Sequence, residues 1–223
     1  MTSDDPAEPR HSQARSAEII TDPDERARRE SRNGLAQYDA AKEIIRQYLD
    51  EGRRFSLRTS LLQQLHLVAL EGLNQYAGNW RPGAVSITKS RHQPPERPLV
   101  PFLVEEMCDY VNDHWDEKSA IHLSAYVMWR LNWIHPFDDG NGRTSRMVSY
   151  VVLCIKTGQL LPGENTVAAQ IVQNRQPYYD AIEAADEAWR DGERIDVSAM
   201  EKLLEDLLAN QLYAVYQQAV SEG

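Results

Sequence analysis

Residues 119–158 read SAIHLSAYVMWRLNWIHPFDDGNGRTSRMVSYVVLCIKTG, and the fold turns on how this run divides. Its first part, Ser119 to Ile134, carries apolar residues around most of a helical circumference, the pattern of a central helix buried on all sides. Its last part, Thr144 to Lys156, is again helical and strongly apolar, with Gly158 as a stop. Between them stands His135-Pro136-Phe137-Asp138-Asp139-Gly140-Asn141-Gly142-Arg143-Thr144-Ser145-Arg146. An ordinary helix connector needs only a cap and a glycine. This one holds an imidazole, two carboxylates, two glycines, an amide and two arginines within twelve residues.

Outward from this pair, helical patterning recurs. From about Glu25 to Asp50 it is carried by Leu35, Tyr38, Ile45 and Leu49. A second helix has Ser56 as its expected cap, Leu57, Leu61, Leu65 and Val68 on one face, and Gly72 as its stop. A third carries Leu99, Leu103, Met107, Tyr110 and Trp115. Near the end, one helix is expected from about Pro177 to Arg190 and another from Ser198, where Ser198 and Glu201 match a capping box. Gln75 to Pro98 breaks the pattern. Its glycines and prolines surround the short β-prone piece Val85-Ser86-Ile87-Thr88, which reads as a surface loop or hairpin. The expected fold class is all-α with this one β-like excursion. Residues 1–24 are polar and read as a disordered or loosely attached arm, and residues 25–223 as a single domain.

Composition narrows the function classes. Of 223 residues, 24 are Lys or Arg and 34 are Asp or Glu, a formal charge of −10 that offers nucleic acid no overall attraction. Cys108 and Cys154 lie in apolar, helix-like runs and are expected as buried free thiols. No stretch approaches transmembrane length and the N-terminus lacks the apolar core of a signal peptide, so a soluble, cytoplasmic protein is the expectation.

The loop carries the chemistry. Glycines ahead of a helix let the backbone turn tightly and approach a ligand, and the free N–H groups of the following helix attract anions. Arg143 and Arg146, three apart, lie on neighbouring positions of one helix face and can grip several phosphate oxygens. Asp139 beside bound phosphates requires a cation between them, the usual setting for Mg²⁺. His135, at the end of the central helix, has the ordinary pKa of a general base toward a hydroxyl. Phe137 reads as a buried anchor, and His122 as a hydrogen-bonded core histidine.

His135-x-Phe137-x-Asp139-Gly140-Asn141-Gly142-Arg143-x-x-Arg146 resembles the Fic signature at every specified position, and the resemblance extends more weakly over about Leu61 to Tyr179. It implies a compact helical core with a β-hairpin flap. It also implies transfer of AMP from ATP to a Ser, Thr or Tyr hydroxyl of a target protein. By that resemblance His135 is the base, Asp139 holds Mg²⁺, and Gly140, Asn141, Gly142, Arg143 and Arg146 hold the nucleotide. Val85, Ser86, Ile87 and Thr88 correspond to the flap, which aligns a target by strand addition. The related Doc-type kinases carry Ala-Asn-Lys where this chain has Gly140-Asn141-Gly142. Asn174, Arg175 and Tyr178 resemble a stretch near the nucleotide, or simply open a helix. The alternatives left open are another donor, removal of AMP, or a catalytically idle Fic-like module serving as a toxin–antitoxin partner. A homodimer or a regulatory partner also stays open. Many relatives carry an inhibitory helix of pattern Ser/Thr-x-x-x-Glu-Gly/Asn, whose glutamate pairs with the second motif arginine, here Arg146. Neither Glu30 nor Glu71 has the required hydroxyl four residues earlier, where Arg26 and Leu67 stand.

Overall fold

A computed structural model describes residues 10, 12–13 and 17–221. These residues are mostly helical and fall into two compact units, Arg10–Leu160 and the residues from Leu161 onward. The first unit contains α1 (Pro23–Glu51), α2 (Thr59–Leu70), α3 (Val100–Asp113), α4 (Ala120–Ile134) and α5 (Asn141–Thr157). The second contains α6 (Val167–Gln173), α7 (Gln176–Arg190) and α8 (Ser198–Ser221).

In the first unit α4 is central, as its all-round apolar pattern requires. Every residue from Leu123 to Leu131 is buried, Trp129 completely. Ser119 starts the helix by accepting a hydrogen bond from the His122 N–H, and His135 ends it in the left-handed conformation at φ 51°. α5 packs along α4, and α1 and α2 cover α5. Two buried amides clamp α1 to the end of α2. Asn33 donates to the carbonyls of Ala69 and Glu71, and Gln37 donates to Leu65 O at 3.1 Å. Asn33 thereby reaches carbonyls at the end of α2, where a helix leaves acceptors open. Cys108 and Cys154 are buried free thiols, as expected.

Several boundaries differ from the sequence reading. α2 begins at Thr59, after Arg58, so Ser56 does not cap it. The short α6 was not anticipated; its seven residues show too little periodicity to stand out. Ser198 turns its hydroxyl to Asp196 at 2.7 Å, so the expected Ser198–Glu201 capping box gives way to a carboxylate two residues earlier.

The flap and the arm depart most. The strand in the Gly/Pro-rich segment is only β2 (Ser86–Ile87), and it does not fold back on itself as a hairpin. Its partner is β1 (Ser12–Gln13), antiparallel, with Ser12 opposite Ile87 and Gln13 opposite Ser86. The arm expected to hang loose over 1–24 is bound where it is described. Ile19 N donates to Leu73 O and Gln75 N to Ala17 O, both at 3.0 Å, and Ala17 is buried. The polar composition of the arm concealed this attachment because main-chain bonds make it, and these need no apolar side chains. Residues 1–9, 11 and 14–16 of the expected arm lie outside the described residues.

Candidate active site

The loop between α4 and α5 is held in shape from three directions. Asn141 closes it from within: its Oδ1 accepts from Phe137 N and its Nδ2 donates to Phe137 O, each at 2.9 Å. This is a bracing task that the sequence reading did not assign to it. The amide is buried, so its polar atoms are spent on the backbone beside it. Phe137 is fully buried, the expected anchor, and stacks on the His66 ring with centroids 3.7 Å apart and planes 6° from parallel.

His66 supplies the second brace, and the sequence reading passed over it. Gly78 N donates to its Nδ1 at 2.9 Å, so the proton sits on Nε2, which donates to Asp139 O at 2.9 Å. Burial lowers its pKa to about 4, and the ring stays neutral. The one available signal was a lone imidazole inside the apolar run of α2.

The third brace is Arg81, whose residue is 1% exposed. Its Nε donates to His135 O at 2.9 Å, its Nη1 to Gly83 O at 2.8 Å and its Nη2 to Pro95 O. One guanidinium thus ties the ends of the flap segment to the histidine. Nothing local in the sequence distinguishes this arginine from a surface one.

On this frame stand the expected functional groups. His135 is buried. Its Nδ1 lies 3.2 Å from Asn132 O, and a carbonyl only accepts, so Nδ1 carries the proton. Nε2 is left with its lone pair. It faces Ser12 Oγ at 2.8 Å, so the hydroxyl donates to the ring. Burial lowers the His135 pKa to about 4, which keeps the imidazole unprotonated at neutral pH.

Gly140 precedes α5 in the left-handed conformation at φ 74°, and a Cβ there would come within 2.4 Å of Leu70 Cδ2. Only glycine fits both demands. The N–H groups of the first turn of α5 follow directly, with Gly142 placed where a Cβ would come 3.2 Å from Arg146 Nη1. Arg143 donates to Asp139 Oδ2 at 3.0 Å, and Arg26 of α1 approaches the same oxygen at 3.4 Å. Glu30, also on α1, accepts from Arg26 Nε at 3.2 Å and lies 3.6 Å from Arg143 Nη1. The structure therefore gathers His135, Asp139, Gly140, Gly142, Arg143 and Arg146 around one helix start, with Ser86 and Ile87 of the flap joined to it through β1. His122 is hydrogen bonded to Tyr110 at 2.9 Å, as a core histidine should be. Asn174 ends α6, and Arg175 and Tyr178 lie at the start of α7, in the second unit.

Residues 56–153 match the model of the Fic/DOC family. The match covers a little under half of the chain, and over that region the chain is similar to Fic/DOC proteins. Among curated proteins, the "Protein adenylyltransferase Fic" of Drosophila persimilis is 30% identical over 100 residues, which cover 43% of this chain and 18% of that protein. The protein of the same name from Culex quinquefasciatus is 37% identical over 67 residues, covering 30% of this chain and 12% of that one. The chain thus spans less than a fifth of the length of these relatives. Among solved structures, a Fic family protein from Desulfovibrio desulfuricans G20 superposes with a TM-score of 0.66 at 22% identity, over 89% of this chain and 56% of that one. Fic-1 of C. elegans superposes with a TM-score of 0.62 at 20% identity, over 90% and 55%. The fold is the Fic fold. Among the described residues no helix is long and apolar enough to cross a membrane.

Proposed function

We propose that this chain is a protein adenylyltransferase that moves AMP from ATP to a hydroxyl of a target protein. The observation that carries the reading is the state of His135. Its proton is committed to a carbonyl, and its Nε2 lone pair meets a hydroxyl beside a helix start suited to phosphates. A neutral imidazole so aimed removes the proton of an attacking hydroxyl. The relatives named protein adenylyltransferase support the same reading.

Each neighbour then has a task. The N–H groups at the start of α5 and the guanidinium groups of Arg143 and Arg146 would receive the phosphates. Asp139 fits a shared Mg²⁺. Its carboxylate is partly exposed, and its present partners Arg26 and Arg143 are cations that phosphates would draw away. Among the described residues no cluster of three or more His, Cys, Asp or Glu could hold a metal by itself, so Asp139 would serve with the phosphates completing the shell. Mg²⁺ would neutralise charge on the leaving phosphates. His66, Phe137 and Asn141 keep the loop rigid, which holds the base at a fixed position relative to the phosphate site.

Incubation of the purified chain with α-labelled ATP, Mg²⁺ and a cell lysate tests the reading. Labelled protein, with AMP confirmed by mass, is the expected result. Protein labelled in a parallel reaction with γ-labelled ATP, and not with α-labelled ATP, would identify a phosphotransferase and overturn it.

A further inference from the structure

The β2 edge of the flap is already taken, and the occupant belongs to the same chain. β1 pairs with β2 antiparallel, which is how an extended peptide adds to an open strand. Residues 17–19, just beyond β1, are tied by main-chain bonds to Leu73 and Gln75, so the segment is anchored at both described ends. Within β1 a serine lies opposite Ile87, and its Oγ is 2.8 Å from Nε2 of the proposed base. Strand pairing fixes the backbone, and the hydrogen bond fixes the hydroxyl. A random surface serine satisfies neither condition, and this one satisfies both.

We propose that Ser12 is a modification site of this chain, adenylylated in cis by its own domain. The inference rests on the adenylyl-transfer reading above. Ser12 Oγ–H gives its proton to His135 Nε2 while Oγ forms a bond to the α-phosphorus of ATP. The bond from that phosphorus to the bridging oxygen breaks, and pyrophosphate leaves with the electron pair. The product is an AMP phosphodiester on Ser12. Until it is modified, the same segment covers the β2 edge against other targets, so Ser12 and β1 are both substrate and occupant.

The purified full chain is incubated with ATP and Mg²⁺, and the product is read by intact mass and peptide mapping over a wide range of protein concentration. One AMP on Ser12, at a first-order rate independent of protein concentration, is the expected result. Ser12→Ala should lose this label and Ser12→Thr should retain it. A rate that rises with protein concentration overturns transfer in cis. AMP on lysate proteins or elsewhere on the chain, with Ser12 bare, overturns the inference and leaves adenylyl transfer standing. No labelled protein of any kind, from wild type or Ser12→Ala, overturns both.

Discussion

Two regions of the molecule each bury a histidine, and they use it in opposite ways. Toward the end of α2, His66 is bonded at both nitrogens to main chain, accepting from Gly78 and donating to Asp139. At the end of α4, His135 commits only Nδ1 to main chain and turns Nε2 to a side-chain hydroxyl. Burial pushes both rings down to about 4, so depth and pKa do not separate them. What separates them is the second partner. A backbone group stays where it is, whereas a hydroxyl on a separate strand can be replaced by another hydroxyl. The first histidine can only hold the loop; the second can exchange a proton with a substrate.

The largest expected effect comes from removing the exchangeable partner. His135→Ala should lower transfer by about 10²–10⁴-fold, the usual contribution of a general base, while ATP affinity changes little. Full activity in the variant would collapse the distinction. His66→Ala should do the reverse. It strands a backbone donor and an acceptor and removes the stack on Phe137, at a cost on the order of 3 kcal/mol of stability. Its transfer rate, measured under conditions where it remains folded, should fall far less than that of His135→Ala. Denaturant midpoints and single-turnover rates on both variants decide the matter, and equal loss of rate would make His66 part of the chemistry.

The sequence carried one of these regions much further than the other. Around His135 the spacing of glycines, arginines and carboxylate marked the loop as the candidate site, and the all-round apolar pattern of Leu123 to Leu131 declared a buried helix. Both signals are local. His66 and Arg81 act through contacts between segments far apart in the chain: His66 with Gly78 and Asp139, Arg81 with His135 and Pro95. No local window contains both partners of such a contact. The same limit hid β1, because strand addition depends on main-chain groups that every polar sequence possesses. The bracing of Phe137 by Asn141 was equally hidden: its position in the motif suggested a donor for a ligand, and only the fold shows the bonds to Phe137.

A pH experiment sharpens the comparison further. Both histidines titrate near 6.5 when unfolded and near 4 when folded. Between those values the unfolded chain binds more protons than the folded one. Their stabilising contribution is therefore complete above about pH 6.5 and is lost as pH falls toward 4. His135→Ala should remove its share of that loss, so its stability should depend less steeply on pH than that of the wild type in this window. His66→Ala should behave the same way, because the linkage follows burial and ignores function. In activity the two part again: kcat/KM of the wild type should show no acid limb at 6.5, since His135 remains the neutral base well below it. Parallel stability slopes for wild type and both variants would remove burial as the cause.

The smallest effect is expected at Glu30, the α1 carboxylate paired with Arg143 of the proposed phosphate site. It lies 3.6 Å from Arg143 and 3.2 Å from the Arg26 Nε, and its side chain is 38% exposed. An inhibitory glutamate must hold a phosphate-binding arginine strongly enough to withhold it from ATP. A half-exposed pair shared between two guanidinium groups is worth about 1 kcal/mol at most, which is roughly a fivefold bias in the availability of Arg143. The phosphates of ATP with Mg²⁺ compete for the same guanidinium with several charges against one. Glu30→Gln keeps the helix and removes the charge, so it isolates this pair. It should raise self-labelling by no more than about fivefold, and less at high salt, where exposed pairs are screened. The wild type should label without any activating substitution. Initial rates for wild type, Glu30→Gln and Glu71→Gln at two salt concentrations make the test. A silent wild type that Glu30→Gln activates strongly would show that α1 restrains the site by more than this ion pair can supply, and the N-terminal helix would then rank with the Ser12 strand as a control on His135.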